Sequence, residues 1–218
     1  MIVTTILLAS VLTSENWTVL FDGKTTNGWL EVTGKPFPTH SWRIEDGCLR
    51  AFDPGNGFED IRTVLEYDAD FEFQFEWKIG PNGNSGVKYL IQRTDDWTNA
   101  KGRQVRARGL EYQLSDDVDP KLDPRKRVAS LYDAIPSHDA ATKPVGEFNL
   151  SLIKLHGKHV EHWLNGVKVI DFETTSPEVQ DILRKAAKGE STKQRAYISL
   201  QNHGTPVWFR NVQIRSGR

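Results

Sequence analysis

Cysteine is almost absent. Cys48 stands alone, so no intramolecular disulfide can form, and stability must come from a buried core, for which 218 residues are enough. Its place between Gly47 and Leu49 reads as core rather than nucleophile. A surplus of either charge is missing too. The 28 basic and 29 acidic residues lack the cationic excess that non-specific nucleic-acid binding needs. The apolar run at residues 2–12 is too short to cross a bilayer as a helix, so no membrane span is expected. The metal patterns HExxH, CxxC and the EF-hand loop are absent, as is the serine-hydrolase pattern GxSxG. His156, His159 and His162 would alternate faces on a strand rather than converge. No metal and no cofactor are therefore expected. Repeats, low-complexity tracts and linkers are lacking, which leaves a single domain over 17–216.

The first 14 residues stand apart. Residues 2–12 have the apolar character of a secretory signal, with small residues Ala9 and Ser10 within the run and polar Thr13 and Ser14 after it. Export, to a periplasmic or secreted location, is the expectation. An N-terminal β-strand is the alternative.

What the chain does contain is β periodicity. Phe71, Phe73, Phe75, Trp77 and Ile79 alternate with polar residues, the mark of a strand with one buried face. Val87, Tyr89 and Ile91 repeat the pattern, as do Leu110, Tyr112 and Leu114, then Phe148, Leu150 and Leu152, then Ala196, Ile198 and Leu200. Asp46-Gly47, Gly157-Lys158 and Asn165-Gly166 are hairpin signals. Ser176, Pro177 and Glu178 open one helix near residues 177–188, with Val179, Ile182, Leu183 and Ala186 at helical spacing and Gly189 beyond them. The basic stretch Thr94–Arg108 and the proline- and aspartate-rich stretch 115–145 read as long loops. The whole predicts an all-β sandwich. Seven tryptophans suit both a β core and sugar stacking, and Trp97 is the loop candidate for stacking.

Two polar strand faces look more site-like than the others, Glu111, Gln113 and Ser115, and Tyr197, Ser199, Gln201 and His203, with a plain solvated face as the alternative. Gln, Tyr and His both donate and accept, which suits polyhydroxyl ligands. His203 precedes Gly204, Thr205 and Pro206 at a strand end and titrates in the working range of pH. Asn82 to Gly86 lacks the Lys-Ser or Lys-Thr of a phosphate loop; it reads either as a tight turn or as backbone that a ligand can approach. Carboxylates for conventional glycoside hydrolysis would be Glu111 with Asp116 or Glu76.

An ordered set of short motifs carries a family resemblance. It opens with Leu20-Phe21-Asp22-Gly23-Lys24 and Gly28-Trp29, and continues through Gly83-Asn84-Ser85-Gly86-Val87-Lys88-Tyr89 and Glu111-Tyr112-Gln113. His162-Trp163-Leu164-Asn165-Gly166, Leu200-Gln201-Asn202-His203-Gly204 and Val207-Trp208-Phe209-Arg210-Asn211 follow. Together they resemble the 3-keto-disaccharide hydrolase domain family, over about residues 17 to 215. Phe148 stands where Trp is usual, and the Arg-rich stretch Thr94–Arg108 is an extension.

The resemblance implies a concanavalin A-like jelly-roll sandwich, export in bacteria, and an oligosaccharide or glycoside partner oxidised at C3. It implies a reaction as well. A C3 ketone acidifies the C2 proton, so a base can remove it, the C1 substituent can leave, and water can add back. On that reading Glu111 or His203 is the base and Lys88 the electrostatic stabiliser. Gln113, Gln201, Tyr132 and Asn84 bind hydroxyls, Asp116 is a weaker candidate for the acid, and Trp97 offers a stacking face. The rival expectations are a non-catalytic carbohydrate-binding module and a cell-envelope scaffold on the same fold.

Overall fold

A computed structural model describes residues 17–216; the signal-like segment expected at residues 1–14 lies outside them. The strands, in chain order, are β1 (Thr18–Val19), β2 (Trp29–Glu31), β3 (Trp42–Glu45), β4 (Cys48–Ala51), β5 (Gly57–Glu59), β6 (Ile61–Thr63), β7 (Tyr67–Asp68), β8 (Asp70–Ile79), β9 (Asn84–Asn99), β10 (Gly102–Ser115), β11 (Asn149–His156), β12 (His159–Leu164), β13 (Val167–Glu173), β14 (Arg195–Ala196), β15 (Ser199–Leu200) and β16 (Val207–Ser216). One α-helix, α1 (Pro177–Ala187), lies between β13 and β14. The outer sheet runs β13-β12-β11-β8-β16-β4-β3, with β1 also on β16. The sheet that carries the cleft described below runs β2-β6-β15-β9-β10-β5. The architecture is the expected β-sandwich.

The core lies between these sheets. From β8 come Phe71, Phe73, Phe75, Trp77 and Ile79, all buried, as the period of two requires. They meet Tyr89 and Tyr112 of the opposite sheet, with Phe75 edge-on to Tyr112 at a centroid separation of 5.8 Å. Each such ring contributes roughly 1.5–3 kcal/mol by leaving water. Cys48 is core, and burial raises its thiol pKa.

Turn chemistry behaves as the dipeptides predict. Asp46 and Gly47 have φ of 50° and 72°, and Asn165 and Gly166 have 48° and 85°. They join Glu45 to Cys48 and Leu164 to Val167, so both are two-residue hairpins with positive φ at both central positions. His156 pairs with His159 across Gly157-Lys158. Pro177 starts α1, and Lys188, at φ 51°, ends it before Gly189.

Three expectations are corrected. Thr94–Arg108 is no loop, because the β9–β10 ladder continues without a break from Thr94–Ala107 out to Asn99–Gly102. Phe148, Leu150 and Leu152 are not the buried set of β11. The core face takes Asn149, Ser151, Ile153 and Leu155, and Leu150 is exposed. Ser151 belongs inside because its hydroxyl is needed there: it accepts from Trp77 Nε1 at 2.9 Å and bonds the Tyr112 hydroxyl at 2.9 Å. Residues 195–200 form two short strands on different partners, β14 on β7 and β15 between β6 and β9, rather than one strand.

His162 is a second polar tie between the sheets. It is fully buried on β12. A carbonyl can only accept, so the 2.9 Å contact with Ala129 O fixes the proton on Nδ1, and Nε2 accepts from the Tyr89 hydroxyl at 2.8 Å. Burial holds its pKa down to about 4. The unfolded chain, with an ordinary imidazole near 6.5, therefore takes up a proton that the folded one cannot. Stability is lost as pH falls from 6.5 towards 4, by roughly 3 kcal/mol over the full range. Urea midpoints measured at pH 7 and pH 4.5 should converge in His162→Gln relative to the parent protein.

Candidate active site

The cleft side of the inner sheet is built by register. Glu111 of β10 pairs directly with Lys88 of β9, Gln113 pairs with Gly86, and Lys88 pairs on its other edge with Ser199 of β15. Side chains of directly opposed residues share a face. Lys88, Glu111, Gln113, Asn84, Gln201 and His203 accordingly line one cleft of about 880 Å³, within the size range of ligand sites. Tyr132 and Trp97 also line it, as does α1 through Glu178, Ile182 and Lys185.

Gly86 explains part of the geometry. A Cβ there would lie 2.3 Å from Glu111 Oε1, so the Glu111 carboxylate rests over the glycine. Lys88 Nζ lies 3.8 Å from Glu111 Oε2 and 3.1 Å from Asp60 Oδ2. Burial raises the Glu111 pKa above the usual carboxylate range, and the neighbouring Lys88 opposes that rise. His203 reaches the cleft from beyond β15. Desolvation by the surrounding walls and then the Arg106 charge lower its pKa, favouring neutral imidazole.

Beneath these groups is Asp60, wholly buried between β5 and β6. Its carboxylate accepts from Lys88 Nζ at 3.1 Å, Arg106 Nη1 at 3.1 Å, Ala107 N at 3.0 Å and Asn202 N at 3.2 Å. Arg106 also donates to Asn202 O and lies over the Phe58 ring. Gln113 Oε1, Gln201 Oε1 and Ser199 Oγ are buried and unpartnered. Unmatched acceptors of this kind suit hydroxyl donors.

Eight of the residues singled out from sequence meet here: Lys88, Glu111, His203, Gln113, Tyr132, Gln201, Asn84 and Trp97. Asp116 does not. It lines a separate pocket of about 240 Å³ beside Trp77 and Lys143, because it follows Ser115 beyond the end of β10. Glu76 is no partner for Glu111 either; on the outer sheet it is bound by Arg210 at 2.7 Å. Tyr197 is taken up by Arg62, whose guanidinium carbon is 3.5 Å from its ring centroid.

Asp60 and Arg106 were not legible. On β10, Arg106 and Arg108 line the cleft at even positions while Glu111 and Gln113 do so at odd ones. The register shifts between Arg108 and Leu110, opposite Leu90 at φ 46°, and such an irregularity inverts the alternation. Gly109 permits it, since a Cβ there would sit 2.7 Å from Tyr89 O. A lone glycine between two alternating runs was the available signal.

A family model described as the 3-keto-alpha-glucoside-1,2-lyase-like domain matches residues 16–215. A 3-keto-disaccharide hydrolase of Bacteroides thetaiotaomicron is 31% identical, the alignment covering 93% of this chain and 79% of the relative. A candidate glycosyl hydrolase from Parabacteroides distasonis has a solved structure that superposes with a TM-score of 0.77 at 28% identity, covering 97% of this chain and 99% of that one. The carbohydrate-binding module CBM66 of Bacillus subtilis shares the fold alone, at 15% identity and a TM-score of 0.52 over 87% of this chain and 96% of that one.

Removing the Asp60 charge should be felt throughout. Asp60→Asn leaves two buried cations without their shared counter-charge and is expected to cost about 3–5 kcal/mol, read as a fall in urea midpoint.

Proposed function

This chain belongs to the 3-keto-alpha-glucoside-1,2-lyase-like family, and from that membership we propose that it cleaves glycosides already oxidised to the ketone at C3. That it is a carbohydrate hydrolase-like enzyme follows from its relatives; the route below is our reading. His203 takes the proton from C2. The electron pair left behind delocalises onto the C3 oxygen as an enolate, beside the Lys88 ammonium. Re-forming the C3 carbonyl drives a double bond between C1 and C2 and breaks the C1–O bond. The departing oxygen takes a proton from Glu111. Water then adds across the C1–C2 double bond, and the net result is hydrolysis.

The observation that carries this reading is the meeting of Lys88, Glu111 and His203 in one cleft. Their environments push the two titrating groups in useful directions. The carboxyl is raised towards the form that donates a proton, and the imidazole is lowered towards the form that accepts one. Lys88, at 3% exposure, acts where little water screens its charge. Gln113, Gln201, Asn84 and Tyr132 hold the ring hydroxyls, and the unpartnered amide oxygens of the two glutamines fit that task.

The test compares a nitrophenyl 3-keto-α-glucoside with its unoxidised parent. Release from the keto compound alone is expected; comparable release from both sinks the elimination route in favour of conventional carboxylate chemistry. Release from neither supports a binding module. His203→Ala should lower turnover by about 100-fold or more. Glu111→Gln should spare the nitrophenyl compound, whose leaving group needs no proton, and lose a similar factor on an alkyl glycoside. The kcat/KM profile should fall on acidification through a pKa below 6.5, as His203 becomes protonated.

A further inference from the structure

The cleft has a second half that the reaction above does not use. Two exposed aromatic side chains line it, and they stand at different depths. Tyr132 is next to the reacting groups, since its N–H donates to Glu111 O at 3.0 Å. Trp97, 37% exposed, lies further out. Arg106, which reaches inward to Asp60, is opposite Asp95, and Trp97 follows two residues later on β9, about 7 Å along the strand.

This outer half is a built surface. The Arg108 guanidinium lies 5.8 Å from the Trp97 ring centroid and is itself tied to Asp95 at 2.7 Å. The facing wall, α1, is fixed in place by Arg93, which donates to the Lys185 carbonyl at 3.2 Å and to that of Ala186, and pairs with Asp95 at 2.9 Å. The two walls are thus cross-linked through Asp95. Six cationic and five acidic side chains line the whole cleft, and most of those in the outer half are paired with one another. Such a balance offers nothing to a polyanion. An exposed indole face between paired charges suits the C–H face of a neutral sugar ring.

We propose that this outer half is the leaving-group subsite, in which Trp97 stacks on a neutral pyranose joined to C1 of the reacting unit. The proposal rests on the reaction given above for the inner half. The reacting ring occupies the end that Gln113 and Gln201 line with unpartnered amide oxygens, and what it carries at C1 extends along the hairpin towards Trp97. The protein therefore selects glycosides of sugars over glycosides of small alcohols, and Trp97 is the residue that sets the preference.

The experiment measures kcat/KM for 3-keto-maltose and for methyl 3-keto-α-glucoside, with the parent protein, Trp97→Ala and Trp97→Phe. Trp97→Ala should lower the disaccharide-to-methyl ratio about tenfold, through KM, and Trp97→Phe should restore most of it. A ratio unchanged within about twofold overturns the subsite. If the parent protein turns over neither compound, the reaction fails but the subsite is still read by calorimetric titration with maltose and with glucose. Weaker maltose binding in Trp97→Ala then sustains it, and equal binding overturns it.

Discussion

The carboxylate of Asp60 is the interaction on which the rest of this molecule depends. A buried charge is tolerated only when its surroundings replace the water it has lost. Here two cations and two backbone N–H groups do so. The same four bonds tie β9, β10 and the segment after β15 to the junction of β5 with β6. Those two strands are separated in sequence by Asp60 alone, yet β5 ends the sheet order beside β10 while β6 lies beyond β15. The β9–β10 hairpin must curl back on itself for Arg103–Val105 to reach Gly57–Glu59, the one parallel pairing in the inner sheet. The residue at the point of closure is the one that holds Lys88 and Arg106 under the cleft. Asn202, bound to Asp60 through its N–H, also fixes the chain before His203, with its side-chain amide on the Ser41 and Phe52 carbonyls.

Legibility in the sequence followed how far each segment obeyed one period. Phe71 to Ile79 obeys it throughout, and its face is buried as read. Lys88, Glu111 and Gln113 could be gathered from parity because their strands are regular where they meet, and Gln201 keeps the parity of β15 just past its end, its N–H on the Gly86 carbonyl. Parity is lost wherever a local event changes the face. The bulge at Gly109 hid Arg106 among solvent-looking arginines. On β11 Leu150 and Leu152 turned out to face outward while Ile153 and Leu155 face the core, because the core asked for the Ser151 hydroxyl and the Asn149 amide on the same face. Asp60 gave no periodic signal at all, since it lies in the break between two three-residue strands.

The aromatic richness of the chain divides along the same lines. Trp29, Trp42 and Trp77 are core. On the outer sheet Trp208 and Phe148 are covered by cations, with Arg50 and Lys78 over the first and Lys78 and Arg210 over the second. Their π-faces are already engaged. Trp97 and Tyr132 each carry one more distant cation, Arg108 at 5.8 Å and Lys126 at 5.9 Å, yet they alone among the large aromatics of the described residues are exposed, and both open onto the cleft.

The Asp60 junction also bears on how the chain reaches its native state. Its carboxylate joins residues as far apart as Asp60 and Asn202, 142 positions along the chain, and it ties strands of the first half of the sequence to a segment near its end. Local hairpins such as β3–β4 or β11–β12 close short loops and can form early, whereas contacts across such separations wait on costly loop closure. The inner cleft is therefore a late product of folding. A chain interrupted before β15 would lack both β15, which joins β6 to β9, and β16, which joins β8 to β4, so neither sheet nor the floor of the cleft would be complete.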